Sequence, residues 1–379
     1  MRDRGWIEID HRALRHNVKL IRRTIGASRL LAVVKADGYG HGAGEVARTL
    51  LAAGAYGLAV ASVEEALALR EAGIEGFLLV MGYTPREAVA DVMARGISVA
   101  LLDGDHGREL EEAARVQVEE GSPPLAVHLK VDTGMSRLGV LPEGTAGEAV
   151  ALLASSPYLK WEGTFTHLAR ADEADPGPTN HQLHRFQAFL QSLRQRGLHP
   201  GLIHAANTGA ALRFQKARFD AVRVGIGLYG YMPSPDLFHP GLKPVMAVKS
   251  RLVQVKKLPP GTPVSYGGTY VTQGEEWVGV VPLGYAEGIP RLLSNRGAFL
   301  WRGQRVPIRG RVCMNLTVVG LPQEGRRGDE VVLLGKQGED VLHAWEWASW
   351  AETIPYEILT GFGGRLPRYH VGKEEEGGS

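Results

Sequence analysis

The sequence predicts a (β/α)8 barrel followed by a smaller, mainly β domain. The chain has 379 residues, which is more than one hydrophobic core usually organises, so we expect two domains. Up to Gly230, short apolar runs alternate with helix-like stretches, a pattern typical of a parallel sheet covered by helices. Beyond Gly230 the chain is rich in Val, Thr and Gly and has few helical stretches. This change of texture predicts a second domain of a different class.

Eight strand candidates lie in the first part of the chain. They span residues 30–34, 57–60, 77–81, 98–102, 125–131, 162–166, 202–205 and 221–224. Between two of them, Ser62 followed by Glu65 predicts a helix start, because Ser is a good helix cap and Glu three residues later is its usual partner. Eight strands with intervening helices favour a closed barrel over the alternative, an open doubly wound sheet.

The second part of the chain begins after a Pro-containing linker, residues 231–235. Its strand candidates span residues 245–256, 277–281, 312–319 and 330–334. We assign residues 10–232 to the barrel and 233–371 to the β domain. Residues 1–9 are predicted to form a strand that joins the β domain, and residues 372–379 to form a flexible tail.

Composition excludes several classes of protein. The net charge is +2, and Lys and Arg are interleaved with Asp and Glu, so we expect no nucleic-acid partner. Cys313 is the only cysteine, which excludes a disulfide within the chain. The sequence has no apolar signal core and no apolar run of membrane-spanning length, so we expect a cytoplasmic protein without a membrane partner.

Chemically capable side chains follow the predicted barrel strands. Barrel enzymes build their sites from the loops after the strands, so these side chains are expected to meet at one mouth. Lys35 ends the first strand in a glycine-rich loop, where partial burial lowers an amine pKa as Schiff-base chemistry requires. A solvated lysine at the rim is the alternative. The other members of this set are Lys130, Asp132, Arg137, His167, Asn207, Thr208, Arg223 and Gly225.

Two late loops are candidates for binding a phosphate group. They are Asn207-Thr208-Gly209 and Gly225-Ile226-Gly227, which offer backbone N–H groups and a hydroxyl after the last two barrel strands. His167 and His204 with Asp132 suggest a metal site as an alternative. Their irregular spacing argues against it, so we expect no metal.

The chain resembles the alanine racemases along nearly its whole length. The matching motifs span residues 33–42, 130–139, 166–167, 204–207, 222–226, 264–270, 284–288, 310–314 and 365–368. The resemblance implies a fold type III enzyme that depends on pyridoxal 5'-phosphate and interconverts L-alanine and D-alanine. It also implies a supply of D-alanine for bacterial peptidoglycan, and a head-to-tail homodimer whose active sites need both subunits.

The resemblance further implies a role for each site residue. Lys35 carries the cofactor and is one catalytic base, and Tyr266 from the partner is the second base, on the opposite face of the bound substrate. His167, Arg223 and Arg137 support these bases. The cofactor is surrounded by Lys35, Tyr39, His167, Asn207, Thr208, Arg223, Gly225 and Ile226. Arg137, Met314 and Tyr285 contact the substrate. In many relatives the lysine that matches Lys130 is carbamylated, and its new negative charge positions the arginine that matches Arg137. An unmodified Lys130, which forms a like-charge pair with Arg137, is the alternative.

A few positions depart from common members of the family. Thr208 stands where serine is frequent, Asn315 and Leu316 stand where Asp-Gln is common, and Gly364 stands where some relatives have a tyrosine near the phosphate. The substrate range is therefore open, with a racemase that also accepts serine as one alternative. The others are a fold type III amino-acid decarboxylase, a non-catalytic pyridoxal phosphate-binding protein without a β domain, and, more distantly, a metal-dependent barrel hydrolase.

Three of the site residues also have structural alternatives. Tyr266 is alternatively a hairpin aromatic before two glycines. Tyr285 and Met314 alternatively fill the core of the β domain.

Overall fold

A computed structural model describes residues 4–234, 237 and 239–373. Its strands are β1 (Gly5–Asp10), β2 (Arg29–Val33), β3 (Gly57–Val60), β4 (Phe77–Val80), β5 (Ser98–Leu101), β6 (Leu125–Lys130), β7 (Leu159–Phe165), β8 (Leu202–His204), β9 (Ala221–Val224), β10 (Met246–Arg251), β11 (Gln254–Leu258), β12 (Pro263–Val264), β13 (Tyr270–Val271), β14 (Glu276–Val281), β15 (Ala298–Trp301), β16 (Gln304–Pro307), β17 (Thr317–Leu321), β18 (Glu330–Gln337), β19 (Asp340–Leu342) and β20 (Arg368–Val371).

The α-helices alternate with the strands in the first part of the chain and are few in the second. They are α1 (His11–Ile25), α2 (Lys35–Tyr39), α3 (Ala43–Ala52), α4 (Val63–Glu71), α5 (Val89–Ala94), α6 (Gly104–Glu119), α7 (Ala146–Ser155), α8 (Gly177–Gln195), α9 (Thr208–Arg213), α10 (Ala344–Trp350) and α11 (Pro355–Phe362).

Strands β2 to β9 form a closed barrel of parallel strands. The barrel closes where β2 pairs with β9, with Leu31 opposite Arg223. The predicted (β/α)8 barrel is therefore confirmed, and the alternative prediction of an open doubly wound sheet is wrong. Most predicted strand ends agree within one residue. Strand β7 starts earlier than predicted, at Leu159. Its first residues include exposed Lys160 and half-buried Trp161, so they do not form the apolar run from which the strand was predicted.

The predicted start of α4 is confirmed, although Glu65, three residues after the cap, does not form the hydrogen bond to the cap that was predicted. Ser62 Oγ accepts a hydrogen bond from Glu65 N at 3.4 Å, which satisfies one free N–H of the first turn. The Glu65 carboxylate does not bond back to the cap. It accepts from Ala36 N at 2.6 Å and Ala61 N at 2.8 Å, so it ties α4 to the loop that follows Lys35.

The second part of the chain is mainly β, as predicted. A seven-stranded sheet has the order β16-β15-β18-β10-β1-β20, with β19 paired to β18. Strand β1 pairs antiparallel with β10 and parallel with β20, which brings both ends of the described chain together. A three-stranded sheet, β11-β14-β17, and the small β12-β13 pair complete the β structure of the described residues.

Two predicted strands of this domain are wrong. Residues 245–256 form two strands in different sheets, because Leu252 N bonds to Asp329 O while Val253 N bonds to Val280 O. Residues 312–319 do not form one strand either. Cys313 N donates to Leu316 O and closes a turn, so strand β17 begins only at Thr317.

The β domain packs against the loop that follows Lys35. Arg368 Nε donates to Gly40 O at 3.0 Å, and a Cβ on Gly40 would lie 2.6 Å from Leu359 O in α11. This contact fixes the β domain at the carboxyl end of the barrel strands. The domain limits stay a prediction, and residues 1–3, 235, 236, 238 and 374–379 of that prediction lie outside the described residues. No helix in the described part of the chain is long and apolar enough to cross a membrane.

Candidate active site

Lys35 begins α2 at the carboxyl end of β2, and the backbone of this short element is left-handed at residues 36–39, so it is a strained turn and not a regular helix. Ala36, Asp37 and Tyr39 have φ of +52°, +52° and +54°, a region that non-glycine residues rarely adopt and that is often strained at functional sites. The turn is held by the Glu65 carboxylate on Ala36 N and by Asp37 Oδ1, which accepts from Ala43 N at 2.7 Å. These bonds hold the Lys35 backbone firmly at the barrel mouth.

The surroundings of Lys35 favour its neutral amine. Burial lowers the pKa of Lys35, and the Arg137 guanidinium lowers it further, while Glu65 opposes the shift. A neutral amine is the form that attacks a carbonyl carbon or accepts a proton. The side chain is half-buried, so it is shielded and still reachable from the mouth.

Lys130 is a second perturbed amine at the same mouth. Its side chain is buried, and burial together with Arg223 and Arg137 lowers its pKa to about 8. Its Nζ lies 5.5 Å from the centre of the Phe165 ring and makes no hydrogen bond to any residue that the structure describes. This amine therefore loses its proton more readily than that of an ordinary lysine, because a buried, unpaired ammonium is costly.

Asp132 builds the turn that carries Arg137. Its Oδ1 accepts from the backbone N–H groups of Gly134, Met135 and Ser136, and its Oδ2 accepts from Arg137 N at 3.2 Å. Burial alone would raise the pKa of Asp132, but these donors lower it overall. Asp132 is therefore an ionised structural anchor. It leaves the exposed guanidinium of Arg137 available to a ligand.

Arg223 is the buried cation of the site. Its Nη1 donates to His204 Nδ1 at 2.8 Å, and its Nη2 donates to Thr166 O at 2.7 Å and His167 Nδ1 at 3.3 Å. Burial lowers its pKa to about 9, so it still carries its charge at neutral pH. Nε makes no hydrogen bond to any described residue, which leaves one N–H for a ligand.

His167 is held neutral beside Arg223. Burial, Arg223 and Arg137 lower its pKa well below the ordinary value. Because Arg223 can only donate, His167 Nδ1 must accept, and the ring proton of His167 lies on Nε2. Among the described residues, no group of three or more His, Cys, Asp or Glu side chains is placed to hold a metal ion.

Thr208, Gly225 and Tyr39 come together beside this cation. Thr208 Oγ1 accepts from Gly225 N at 3.2 Å and Gly227 N at 3.4 Å, and Asn207 caps α9 by accepting from Ala210 N. A Cβ on Gly225 would lie 2.1 Å from the Tyr39 hydroxyl oxygen. Tyr39 is 5% exposed, yet its hydroxyl has no hydrogen-bond partner in the described part of the chain. A buried phenol without an acceptor fits a ligand rich in acceptors.

Tyr356 is a site residue that the sequence analysis missed. It lies on α11, and its ring centre is 5.9 Å from that of Tyr39. Burial, then Asp172, raises its pKa, so it stays a neutral donor. Gly364, where the resemblance led us to expect the loss of a tyrosine, lies in an exposed turn with φ +73°. The tyrosine beside Tyr39 therefore comes from a different position.

Tyr266 lies away from the barrel residues of its own chain. It occupies the turn between β12 and β13 and is 71% exposed. Ser265 Oγ donates to Arg311 O at 2.6 Å and Asn295 Nδ2 donates to Thr269 Oγ1 at 3.1 Å, so β-domain residues hold the turn. No hydrogen bond, ion pair or ring contact of the described residues joins Tyr266 to Lys35.

Tyr266 belongs to a set of exposed apolar side chains. We call Tyr266, Tyr285, Met314 and Leu316 the apolar patch; the last three are 39%, 56% and 45% exposed. The loops that carry it are tied together, because Tyr285 N donates to Cys313 O and Cys313 Sγ lies 3.3 Å from Ser265 Oγ. The alternative that Tyr285 and Met314 fill the core of the β domain is wrong.

Asn315 has a definite partner under this patch. Its Nδ2 donates to Glu287 Oε1 at 2.8 Å, and the other oxygen of the same buried carboxylate accepts from Gly284 N at 2.8 Å. An aspartate at position 315 would place two carboxylates against each other. The amide is therefore suited to this chain, which the sequence alone did not show.

Comparison with known proteins gives the same family over the whole fold. The family model for the N-terminal domain of alanine racemase matches residues 9–233, and the model for the C-terminal domain matches residues 245–370. The alanine racemase of Carboxydothermus hydrogenoformans is 43% identical over 372 residues, which cover 97% of this chain and 99% of the relative. Alanine racemase 2 of Bacillus subtilis is 42% identical over 374 residues, which cover 97% and 94%.

Solved structures agree with these sequences. The alanine racemase of Streptomyces coelicolor matches with a TM-score of 0.94 at 39% identity, covering 98% of each chain. The alanine racemase of Bacillus anthracis with bound L-Ala-P matches with a TM-score of 0.90 at 35% identity, covering 97% of this chain and 95% of the other. The chain therefore belongs to the alanine racemase family.

Proposed function

We propose that this racemase uses pyridoxal 5'-phosphate and two bases, Lys35 of one subunit and Tyr266 of the partner subunit, to interconvert L-alanine and D-alanine. As a member of the family, the chain is an isomerase that acts on alanine. The observation that carries the mechanism is the low-pKa amine of Lys35, which shares the barrel mouth with the Arg223 cation and with the unpartnered hydroxyl of Tyr39. The product D-alanine serves peptidoglycan synthesis, and the enzyme works in the cytoplasm.

The donors at the barrel mouth fit the proposed cofactor. Arg223 Nε suits the ring nitrogen as a hydrogen-bond donor, and the hydroxyl of Tyr39 suits an acceptor-rich phosphate. The backbone at Gly225 and Ile226, with Thr208 and Asn207, completes the proposed phosphate site. Pyridoxal phosphate, when bound, withdraws electrons from the Cα–H bond of an amino acid attached to it.

Each of the two bases transfers a proton on one face of the substrate. Racemisation removes the α proton from one face and returns a proton on the other, so one base on each side is needed. Lys35 Nζ accepts or donates this proton on one face, and its lowered pKa favours the neutral form that accepts it. The phenol oxygen of the partner's Tyr266 does so on the other face, accepting the proton as phenolate and donating one as hydroxyl. His167 and Arg223 lie at the mouth to stabilise its anionic form by hydrogen bonding and charge.

Arg223 remains protonated throughout, which favours racemisation over side reactions. A guanidinium donates a hydrogen bond without surrendering its proton. All of its acceptors among the described residues are neutral carbonyl or imidazole groups, so it stays a fixed cation.

Arg137 and Lys130 are proposed to recognise the substrate carboxylate. Arg137 offers a planar fork of donors that suits a carboxylate. Lys130 and Arg137 would repel each other as two cations, and carbamylation of Lys130 replaces this repulsion by attraction. The neutral amine that carbamylation needs is favoured by the lowered pKa of Lys130. Binding of L-Ala-P by the related Bacillus anthracis racemase supports an alanine-sized ligand at this mouth.

The proposed homodimer explains the exposed position of Tyr266. The apolar patch, with Tyr285 and Met314, would be buried against the mouth of the partner's barrel, where it lines the substrate pocket. Each site then takes Lys35 from one chain and Tyr266 from the other. Such a reciprocal contact is the expected form of a twofold symmetric dimer.

Chirality-resolved turnover tests this proposal. Purified protein with added pyridoxal phosphate is incubated with L-alanine or D-alanine, beside the Lys35→Ala and Tyr266→Phe variants. We expect interconversion in both directions, lost in Lys35→Ala and reduced by at least about a hundredfold in Tyr266→Phe. Protein that binds the cofactor and releases carbon dioxide instead would support a decarboxylase. Protein that never binds the cofactor would contradict the proposal.

A further inference from the structure

A chain of two buried hydrogen bonds and one longer polar contact runs from Arg223 down through the barrel interior. Arg223 Nη1 lies 2.8 Å from His204 Nδ1, and His204 Nε2 lies 2.9 Å from His128 Nδ1. His128 Nε2 then lies 3.5 Å from Glu162 Oε2. Both histidines are completely buried. The last contact is longer than an ordinary hydrogen bond, but His128 Nε2 has no closer acceptor among the described residues.

The direction of every proton in this chain follows from Arg223. A guanidinium has only donors, so His204 Nδ1 must accept and the His204 proton lies on Nε2. That proton can only go to His128 Nδ1, so the His128 proton also lies on Nε2. It faces the Glu162 carboxylate, which only accepts. The two histidines are thus neutral, each with a single tautomer, and burial lowers the pKa of both.

The barrel is shaped to admit these two rings. A Cβ on Gly163 would lie 2.3 Å from His128 Nδ1, so the ring of His128 occupies the space of the side chain that glycine lacks. The ring of Phe165 stacks on that of His204, with centres 4.9 Å apart and planes 6° apart. Since Gly163 lies directly opposite His128 in the β6-β7 pairing, the local sheet geometry is adapted to the chain of bonds.

The anionic end of the chain is anchored at the amino end of the barrel strands. Ser98 Oγ donates to Glu162 Oε2 at 2.5 Å, and Lys160 Nζ lies 3.2 Å from Oε1. The Glu162 side chain is 24% exposed and lines a cavity of about 590 Å³, together with Arg29 and Asp220. Water can therefore reach the carboxylate. The contact with His128, together with Ser98 and Lys160, lowers the pKa of Glu162 to about 2 despite burial, so the group stays ionised.

The arrangement links the buried Arg223 cation to a distant carboxylate of opposite charge. No carboxylate lies in hydrogen-bond or ion-pair contact with Arg223 in the described part of the chain. Glu162 is the carboxylate to which Arg223 is linked, through two neutral rings. A buried cation is expensive without a compensating anion, and hydrogen-bond chains polarise in one direction. The anion therefore lies away from the active site, and only the two histidine rings connect it to the cation.

We propose that Glu162 and His128 are positioning residues for Arg223, acting through His204 from the far end of the barrel. Because the Glu162 carboxylate only accepts, its end of the chain requires the same tautomer of His204 as Arg223 does. The ring of His204 is thereby held from both ends, which keeps the guanidinium in one orientation and leaves its Nε free for the cofactor. This inference rests on the role of Arg223 in the proposed function. It assigns a catalytic consequence to residues that touch neither cofactor nor substrate.

A neutron crystal structure of the unsubstituted protein tests the proton positions directly. We expect deuterium on Nε2 and none on Nδ1 in both His128 and His204. A proton on Nδ1 of either ring would overturn the proposal. This measurement does not depend on racemase activity, so it separates failure of the inference from failure of the proposed function.

A double-mutant cycle tests the consequence for Arg223. The variants are Glu162→Gln, His128→Leu and their combination, with Lys160→Met as the control that removes the exposed partner of the same carboxylate. The readouts are the Kd of the apoprotein for pyridoxal phosphate, and kcat and KM for alanine. We expect Glu162→Gln to raise the Kd about tenfold and to lower kcat about tenfold, with an unchanged KM. In a protein that already carries His128→Leu, we expect Glu162→Gln to change neither the Kd nor kcat any further.

Two results of this cycle would overturn the proposal. One is a Glu162→Gln protein with the Kd and kcat of the unsubstituted protein. The other is a pair of effects that simply multiply in the double variant, since Glu162 would then act independently of His128. If Glu162→Gln fails to fold, the neutron structure still decides. Lys160→Met should stay within about twofold of the unsubstituted protein, because its side chain lies outside the chain of bonds.

Discussion

A Cβ atom on Gly225 would lie 2.1 Å from the hydroxyl oxygen of Tyr39. The backbone after β9 and the phenol of the Lys35 turn are therefore in direct contact, although they are far apart in sequence. This contact makes Gly225 a position where the site accepts no side chain. It also brings the unpartnered Tyr39 hydroxyl to the backbone of the proposed phosphate site.

Gly225→Ala should weaken cofactor binding. The added methyl group must displace the Tyr39 hydroxyl, which is proposed to bind the phosphate. We expect the Kd for pyridoxal phosphate to rise by at least about tenfold, measured by titration of the apoprotein. Gly147→Ala on α7 is the matched control, because its Cβ would meet nothing within 4 Å. Equal affinities of the two variants would count against the proposed phosphate site.

Asn315→Asp should destabilise the loops under the apolar patch. The new carboxylate would face the buried Glu287 carboxylate, which now accepts a hydrogen bond from the Asn315 amide. We expect a loss of about 1–3 kcal/mol at pH 7 by thermal unfolding, because a buried acceptor loses its donor and gains a like charge. The loss should shrink as the pH falls below about 5, because the introduced aspartate, whose ordinary pKa of about 3.9 is raised by a neighbouring carboxylate, becomes protonated there.

Asn315→Ala separates the two contributions to this loss. It removes the hydrogen bond without adding a charge, so its destabilisation should not shrink in the same way at acid pH. An Asn315→Asp protein as stable at pH 7 as the unsubstituted protein would show that Glu287 is not held by this amide.

Lys130 should form a carbamate more readily as the pH rises. Its pKa of about 8, against 10.5 for an ordinary lysine, makes the neutral amine the major form above about pH 8. Only this form reacts with carbon dioxide. With ¹³C-bicarbonate, we expect a carbamate signal in the NMR spectrum that grows from about pH 7 to 9 and is absent in Lys130→Arg. A signal that persists in Lys130→Arg would assign the modification to another residue, and no signal at any pH would exclude it.

His11 should make the protein sensitive to acid. It is fully buried, with Nδ1 2.6 Å from Thr49 Oγ1 and Nε2 2.8 Å from His370 Nδ1. Burial, then His370 and Lys373, lowers its pKa from 6.5 to about 4, while Glu45 opposes the shift. Because the folded-state pKa is below the unfolded one, the stabilisation from neutral His11 is complete above about pH 6.5. It is lost as the pH falls towards 4.

Chemical unfolding of the unsubstituted protein and His11→Gln measures this effect. We expect the difference in unfolding free energy between the two proteins to fall by on the order of 2 kcal/mol between pH 7 and pH 4.5. A difference that does not change with pH would show that His11 does not titrate in this range.

The barrel strands and the site residues at their ends could be predicted from the sequence, because both depend on local patterns. Fully buried strands read as apolar runs, and Lys35, Lys130 and Arg223 stand at or near the ends of such runs. The break between β10 and β11 could not be predicted from the sequence. Leu252 and Val253 are both apolar, and only their pairing with different sheets separates the two strands. Local patterns cannot report which sheet a strand joins.

The missed residues act through tertiary contacts. Glu65 looked like half of a helix cap, yet its carboxylate supports the backbone after Lys35. Tyr356 lies on α11, a helix that was not predicted although Pro355 marks its start. Glu162 and Glu287 look like ordinary surface acids in the sequence. Their partners, His128 and Asn315, are distant in the chain, so only the fold identifies them.

Mixing two inactive variants tests the shared active site most directly. Lys35→Ala and Tyr266→Phe proteins are unfolded together, refolded with pyridoxal phosphate and assayed for racemisation. In a mixed dimer, one site combines Lys35 of one chain with Tyr266 of the other, so about a quarter of all sites should be intact. We predict recovery of about a quarter of the activity of the unsubstituted protein treated in the same way. Activity no higher than the sum of the separate variants would contradict the central claim that each site needs both subunits.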